Sequence, residues 1–190
     1  MIKSELNKLD ENLKEKRPEY YKTLQLPLSD DAISNLEQTY KVVLPNDLKE
    51  LYQWKNGQQY DCYASFVNNA MFQPLEEVLQ ISKEFNEMIG YDFQIKNWWN
   101  ENWLPIFSNG GGSYLCYDIK GVFTNKVGQL IEFWKGDNDR NVIAPNLSEF
   151  LGALNTYLVE TPATEYDSYF DVSDRIGQWR TTFIVDQPLS

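Results

Sequence analysis

The order of the secondary-structure signals predicts an α+β fold, and three observations carry that prediction. Apolar residues recur at helical spacing through the first half of the chain. Short strand-like runs bounded by glycine, proline and asparagine gather after residue 100. One more helical stripe then closes the segment before residue 159. Helices, then grouped strands, then a helix is not the alternating order of a parallel α/β protein.

The elements follow from the residues in turn. Residues 4–17 are charged, with Leu6, Leu9 and Leu13 at helical spacing, and Pro18 stops that helix. Ser29 can cap a second helix whose stripe is Ile33, Leu36 and Tyr40. Pro45 suits the first turn of a third, Asp47 and Glu50 suit its positive end, and Leu44, Leu48, Leu51 and Tyr52 face inward. Asn56-Gly57 ends it, because one of them can turn left-handed. Residues 58–73 read as a loop with short strand character around Tyr63–Val67. Pro74 and Leu75 open a fourth helix with Leu75, Val78, Leu79, Phe85 and Ile89 buried, ended by Gly90. Trp103–Phe107 reads as a strand, and Pro105 makes it an edge or irregular one. Asn109 to Gly112 is a turn, Ser113–Asp118 a strand and Val127–Trp134 another. Asn138-Asp139 turns the chain into a brief strand, Val142–Ala144. Pro145-Asn146 then opens the closing helix, with Leu147, Phe150, Leu151, Leu154 and Leu158 on one face. The tail keeps Tyr166, Phe170, Trp179 and Phe183, enough apolar area to fold back on the domain.

Charge narrows the function classes. With 17 Lys and Arg against 28 Asp and Glu, the formal net charge is −11, which disfavours nucleic acid and anionic membranes and favours a basic protein partner. Aromatic residues make up 15% of the chain, so large planar groups must fill the core or sit on a contact face. The start of the chain lacks an apolar signal region and no apolar run reaches membrane length, so a cytoplasmic location is expected.

The chain contains no histidine. That removes Ser-His-Asp and Cys-His catalysis, most zinc sites and the commonest general base, so no enzyme activity and no cofactor are expected. Cys116 sits mid-strand and Cys62 stands beside the acidic Asp61; neither has the positive surroundings of a reactive thiol. Asp137 and Asp139 flank a turn, but the run lacks the glycine and distal glutamate of a calcium loop, so no metal site is expected. Gly110-Gly111-Gly112 has neither a following Lys-Ser/Thr nor a following helix, and reads as a hairpin turn rather than a phosphate cradle. The cluster Trp98-Trp99-Asn100-Glu101-Asn102-Trp103 fits either a contact surface or packing under a loop, with Trp103 as core. Candidate partner-binding residues are therefore Asp61, Tyr63, Trp98, Trp99, Asp137 and Asp139.

Several segments together resemble one family. Leu44-Pro45-Asn46-Asp47-Leu48 followed by Asn56-Gly57 resembles the Leu-Pro and Asn-Gly helix of the SUKH superfamily, the Smi/Knr type of cell-wall assembly regulator homologues. Trp103-Leu104-Pro105-Ile106-Phe107 through Gly110, Gly112, Tyr114, Cys116 and Asp118 is similar to its central strand pair. Gly128–Trp134 and Ala144–Leu154 are similar to its next strand and closing helix. The resemblance implies helices packed around a mainly antiparallel or mixed sheet of about four to six strands. It implies structural roles for Leu44, Pro45, Asn56, Gly57, Pro105, Gly110, Gly112, Asp118 and Trp134. It divides the chain into a helical extension (1–26), the SUKH-like domain (27–158) and an acidic, aromatic extension (159–190). Where many members carry a histidine after the third strand, this chain has Lys135-Gly136-Asp137. No shared catalytic residues or cofactor are implied. Bacterial members are implied to be immunity proteins, so the expected function is binding and neutralising a cognate toxin, a basic nuclease, as a monomer or weak dimer. The alternatives are a regulatory scaffold of the same fold, a carboxylate enzyme, and a small-molecule sensor with a pocket at Trp98 and Trp99.

Overall fold

A computed structural model of the chain describes residues 2–176 and 179–189. Its elements run α1 (Ile2–Lys16), α2 (Pro18–Tyr21), α3 (Asp30–Tyr40), α4 (Asn46–Trp54), β1 (Met71–Phe72) and α5 (Leu75–Glu87). Then follow β2 (Trp103–Ser108), β3 (Tyr114–Asp118), β4 (Leu130–Phe133), β5 (Asp139–Ala144), α6 (Leu147–Glu160), α7 (Ser173–Ile176) and β6 (Thr181–Ile184). The fold is α+β. One six-stranded open sheet has the order β1-β2-β3-β4-β5-β6, and every neighbouring pair is antiparallel.

Strand alternation divides the apolar side chains between two layers. Leu115, Tyr117, Leu130 and Ile143 face the larger core with α1, α4 and α6. Cys116, Ile131, Phe133 and Val142 face a smaller one with Trp99, Trp103 and the half-buried Phe85 and Phe183. Both faces are covered, which is why every residue of β2 is buried. Pro105 lies where the β2–β3 register shifts, between Leu104 and Phe107, so the residue without an N–H sits where the ladder is irregular.

Local signals placed most helices. Ser29 Oγ accepts from the Ala32 N–H and Asn146 Oδ1 from the Glu149 N–H, capping α3 and α6. Pro18 does not simply end a helix; it also starts α2 one residue after α1. The Asn56-Gly57 pair has another duty than stopping α4, which ends where Lys55 turns extended. Asn56 Oδ1 accepts from the Leu75 N–H at 2.9 Å and so caps α5. Gly57 has φ +74°, and a Cβ there would lie 2.4 Å from the Pro74 nitrogen, so no side chain fits.

Both ends of the chain pack against the sheet-and-helix core. Ile2, Leu6, Leu9 and Leu13 of α1 are buried against it, and Asn155 of α6 donates to the Glu5 carbonyl at 2.9 Å. Arg17 is buried, donates to the Ser65 carbonyl at 2.7 Å, and lies 4.1 Å and 3.4 Å from the ring centres of Tyr20 and Phe170. Thr181–Ile184 of the tail add β6, pairing Val142 with Thr181 and Asp139 with Ile184. Among the described residues, no helix is long and apolar enough to cross a membrane.

Burial sets the alkaline behaviour of this core. It pushes the hydroxyls of Tyr20, Tyr52 and Tyr117 and the thiol of Cys116 well above their usual range. It pulls the guanidinium groups of Arg17 and Arg140 down to about 10. The four raised groups stabilise the fold fully below their unfolded pKa values, and that contribution is lost as pH rises. The two arginines act oppositely, because the unfolded chain holds their protons longer. With four groups against two, stability is expected to fall from about pH 9 to 11. A urea midpoint that rises across that interval contradicts this.

Candidate functional site

The six residues expected to meet a partner fall into two separate groups. Asp61 and Tyr63 lie on the loop that leads into β1, and Tyr63 is 81% exposed. Trp98, Asp137 and Asp139 surround Arg140 of β5. Its guanidinium donates to the Trp98 carbonyl at 2.6 Å and to the Asp137 and Asp139 carbonyls, each at 2.7 Å. It lies 5.0 Å from the Trp98 ring. Asp139 is the first residue of β5 rather than part of the turn. Trp99 is only 2% exposed and donates its Nε1–H to Asn86 Oδ1 at 2.8 Å, so its ring supports the loop from beneath. Trp103 is core.

The residues implied by the family motif flank α4 or lie in and beside β2, β3 and β4. Leu44 is buried, and Pro45 precedes α4. Gly110 and Gly112 take φ of +76° and +87° in the β2–β3 hairpin. Trp134, 39% exposed, donates to Glu132 at 3.4 Å. Asp118 is fully buried and its carboxylate organises the loop after β3. Oδ1 accepts from the N–H groups of Lys120 and Gly121 at 3.0 and 2.9 Å. Oδ2 accepts from the Val122 N–H at 2.6 Å and Gln129 Nε2 at 2.8 Å.

The group at Asp61 extends into a face that local sequence reading missed. The loop carrying Asp61 is held by buried Gln58, whose amide makes four hydrogen bonds. Its Oε1 accepts from the Tyr20 hydroxyl and the Phe72 N–H; its Nε2 donates to the Cys62 and Ala64 carbonyls. That anchoring sets Tyr60, 71% exposed, beside the first turn of α5. Glu76 and Glu77 stand in that turn, where helix N–H groups favour carboxylates. Burial and then the fields of Glu77 and Glu76 raise the Tyr60 hydroxyl. Burial, Cys116, Glu77 and Glu84 do the same for Tyr114. Burial also raises the Glu77 carboxyl, and among the described residues no cation or hydrogen-bond donor offsets that cost. The outcome is an acidic face of Glu76, Glu77 and Glu84 whose fields reach exposed Tyr60 and half-buried Tyr114. Glu76 and Glu77 are adjacent in the sequence, but their nearness to Tyr60 depended on the Gln58 anchor.

A sequence model of the SMI1 / KNR4 family (SUKH-1) matches residues 27–153. The chain belongs to this family. The match spans α3 through most of α6, including every residue of the acidic face. The SUKH-1 region thus supplies Tyr60, Asp61, Glu76, Glu77, Glu84 and Tyr114, while α1, α2 and β6 lie outside it. No curated protein matches the chain. Among the described residues, no group of three or more Cys, Asp or Glu side chains is arranged to hold a metal ion.

Proposed function

We propose that this SUKH-1 chain is an immunity protein, which binds a cognate basic toxin, a nuclease, and neutralises it by occluding its active surface. The observation that carries the reading is the acidic face at the first turn of α5, where Glu77 is partly buried and meets no cation among the described residues. A carboxylate that is desolvated without a partner is poised to gain from an incoming lysine or arginine. Exposed Tyr60 beside it supplies a large, stiff anchor of the kind that dominates binding energy at interfaces. Family membership supports the same reading, and a net charge of −11 favours rapid encounter with a basic protein.

The test is co-expression with the product of the adjacent gene as the candidate toxin, scoring growth and co-purification. Wild-type chain is expected to restore growth. The combined Asp61→Lys, Glu76→Lys and Glu77→Lys variant is expected to lose protection and to slow association roughly 10- to 1,000-fold at low salt. Full protection by that variant removes the acidic face from the mechanism. No effect of the wild-type chain on growth removes the immunity reading.

A further inference from the structure

Residues 23–25 and 57–59 run antiparallel as a short ribbon. Gln25 donates its N–H to the Gly57 carbonyl and Gln59 its N–H to the Thr23 carbonyl, both at 2.9 Å. Leu24 bridges Gln58, whose buried amide fixes this wall from behind. Past the ribbon the two segments enclose an open groove of about 840 Å³. Leu26, 82% exposed, stands on one side and Tyr60 on the other. Pro27 restricts the backbone at Leu26, so that segment has less backbone freedom to lose on binding. Neither side chain belongs to the core.

Charge selects what the groove accepts. Asp61 lines it, and Glu76 and Glu77, in the first turn of α5, are near enough for their fields to act on Tyr60. Lys22 also lines it, but its ammonium is held by Glu19 at 2.6 Å. With Glu19, Glu76 and Glu77 nearby, carboxylates outnumber cations around the slot, although its own lining holds one of each.

The geometry points to this groove as the seat for an apolar side chain flanked by lysine or arginine, on an exposed segment of the partner protein. This assignment rests on the reading of the chain as a binder of a basic protein. Leu26 and Tyr60 clasp the apolar group, while Asp61, Glu76 and Glu77 receive the flanking cations. Leu26 lies just before the family match begins, so the clasp joins the SUKH-1 region to its N-terminal extension.

The probe is a short peptide of alternating lysine and leucine, titrated into the isotopically labelled full chain while amide shifts are followed. Saturable shifts centred on Leu26, Gln59, Tyr60 and Asp61 are expected. A lysine–glycine peptide should bind at least about tenfold more weakly, and a glutamate–leucine peptide not at all. Leu26→Ala and Tyr60→Ala are each expected to weaken binding roughly tenfold, and both positions are exposed enough to leave folding intact. Asp61→Asn with Glu76→Gln and Glu77→Gln should do the same without touching the apolar walls. Shifts centred elsewhere, or equal binding of the glutamate–leucine peptide, overturn the assignment. So do concentration-dependent shifts at these residues with no peptide present, which would make a second copy the occupant. If the neighbouring toxin is neutralised equally well by the Leu26→Ala, Tyr60→Ala double variant, the groove is excluded and the immunity reading stands. If the peptide pattern holds but the toxin is not bound, the immunity reading falls and the groove remains a site for basic segments.

Discussion

Asp118→Ala is expected to lower folding stability by about 3–5 kcal/mol, because a buried carboxylate with several charge-assisted bonds disappears. Three backbone N–H groups and one side-chain amide converge on it in a site closed to water. Each buried donor left without an acceptor costs about 1–3 kcal/mol, and the sum is less than additive because loop 119–128 can shift to reach water. That shift is restrained. Gly121 has φ +70°, and a Cβ there would stand 2.4 Å from the Lys126 nitrogen, so the loop is tightly wound around its anchor. Asp118→Asn keeps one oxygen but points an NH₂ group at donors, so it should recover only part of the loss. The measurement is a urea midpoint at neutral pH, with amide exchange at Gly121 and Val122 as a local readout. A midpoint change under about 1 kcal/mol with unchanged exchange would show that the carboxylate is not what holds this loop.

Arg140→Ala is expected to cost about 2–4 kcal/mol, by leaving buried carbonyls unpaired and a cavity between two rings. Arg140 is fully buried, with Phe133 4.8 Å and Trp98 5.0 Å away. Among the described residues no carboxylate side chain bonds it; its donors go to the carbonyls of Trp98, Asp137 and Asp139. The guanidinium fork serves both the Trp98 loop and the turn before β5, which a single lysine ammonium cannot do. Arg140→Lys should therefore stay clearly destabilised. Arg140→Met fills the volume without importing a charge, so it should lose less than alanine does. The three variants separate packing from hydrogen bonding when compared by urea midpoint and by Trp98 fluorescence. Equal stability of the alanine variant and the parent would mean that the carbonyls find water, and would remove this clasp from the fold's support.

Much of the scaffold was legible because its signals are local. A serine or asparagine at an N-cap acts on an N–H three residues away, so Ser29 and Asn146 announce α3 and α6. The glycine hairpin and the strand Tyr114–Asp118 are likewise short-range features, as is the irregularity that Pro105 imposes on β2. The absence of histidine and the excess of acid are properties of the list of residues and need no fold at all. The candidate face was half legible. Asp61 and Tyr63 were candidates from a loop, but nothing in the local sequence placed Glu76 and Glu77 near Tyr60.

What the residues determined by themselves is the inventory: most of the helices, the central strands to within a few residues, and the turns that need left-handed backbone. Only the tertiary structure decided which surfaces meet. β6 pairs with β5 across some 40 residues, Asn155 bonds Glu5 across 150, and Arg17 links the Ser65 carbonyl to the Phe170 ring. Trp98 and Trp99 show the reason in miniature. They are neighbours in sequence, yet one stacks on Arg140 at the rim and the other is sealed in the core. Burial is a property of everything that closes around a side chain, and most of what closes here comes from distant parts of the chain. Hydrogen-bond periodicity acts within a few residues, whereas apolar contact and buried polar pairing have no preferred separation along the sequence.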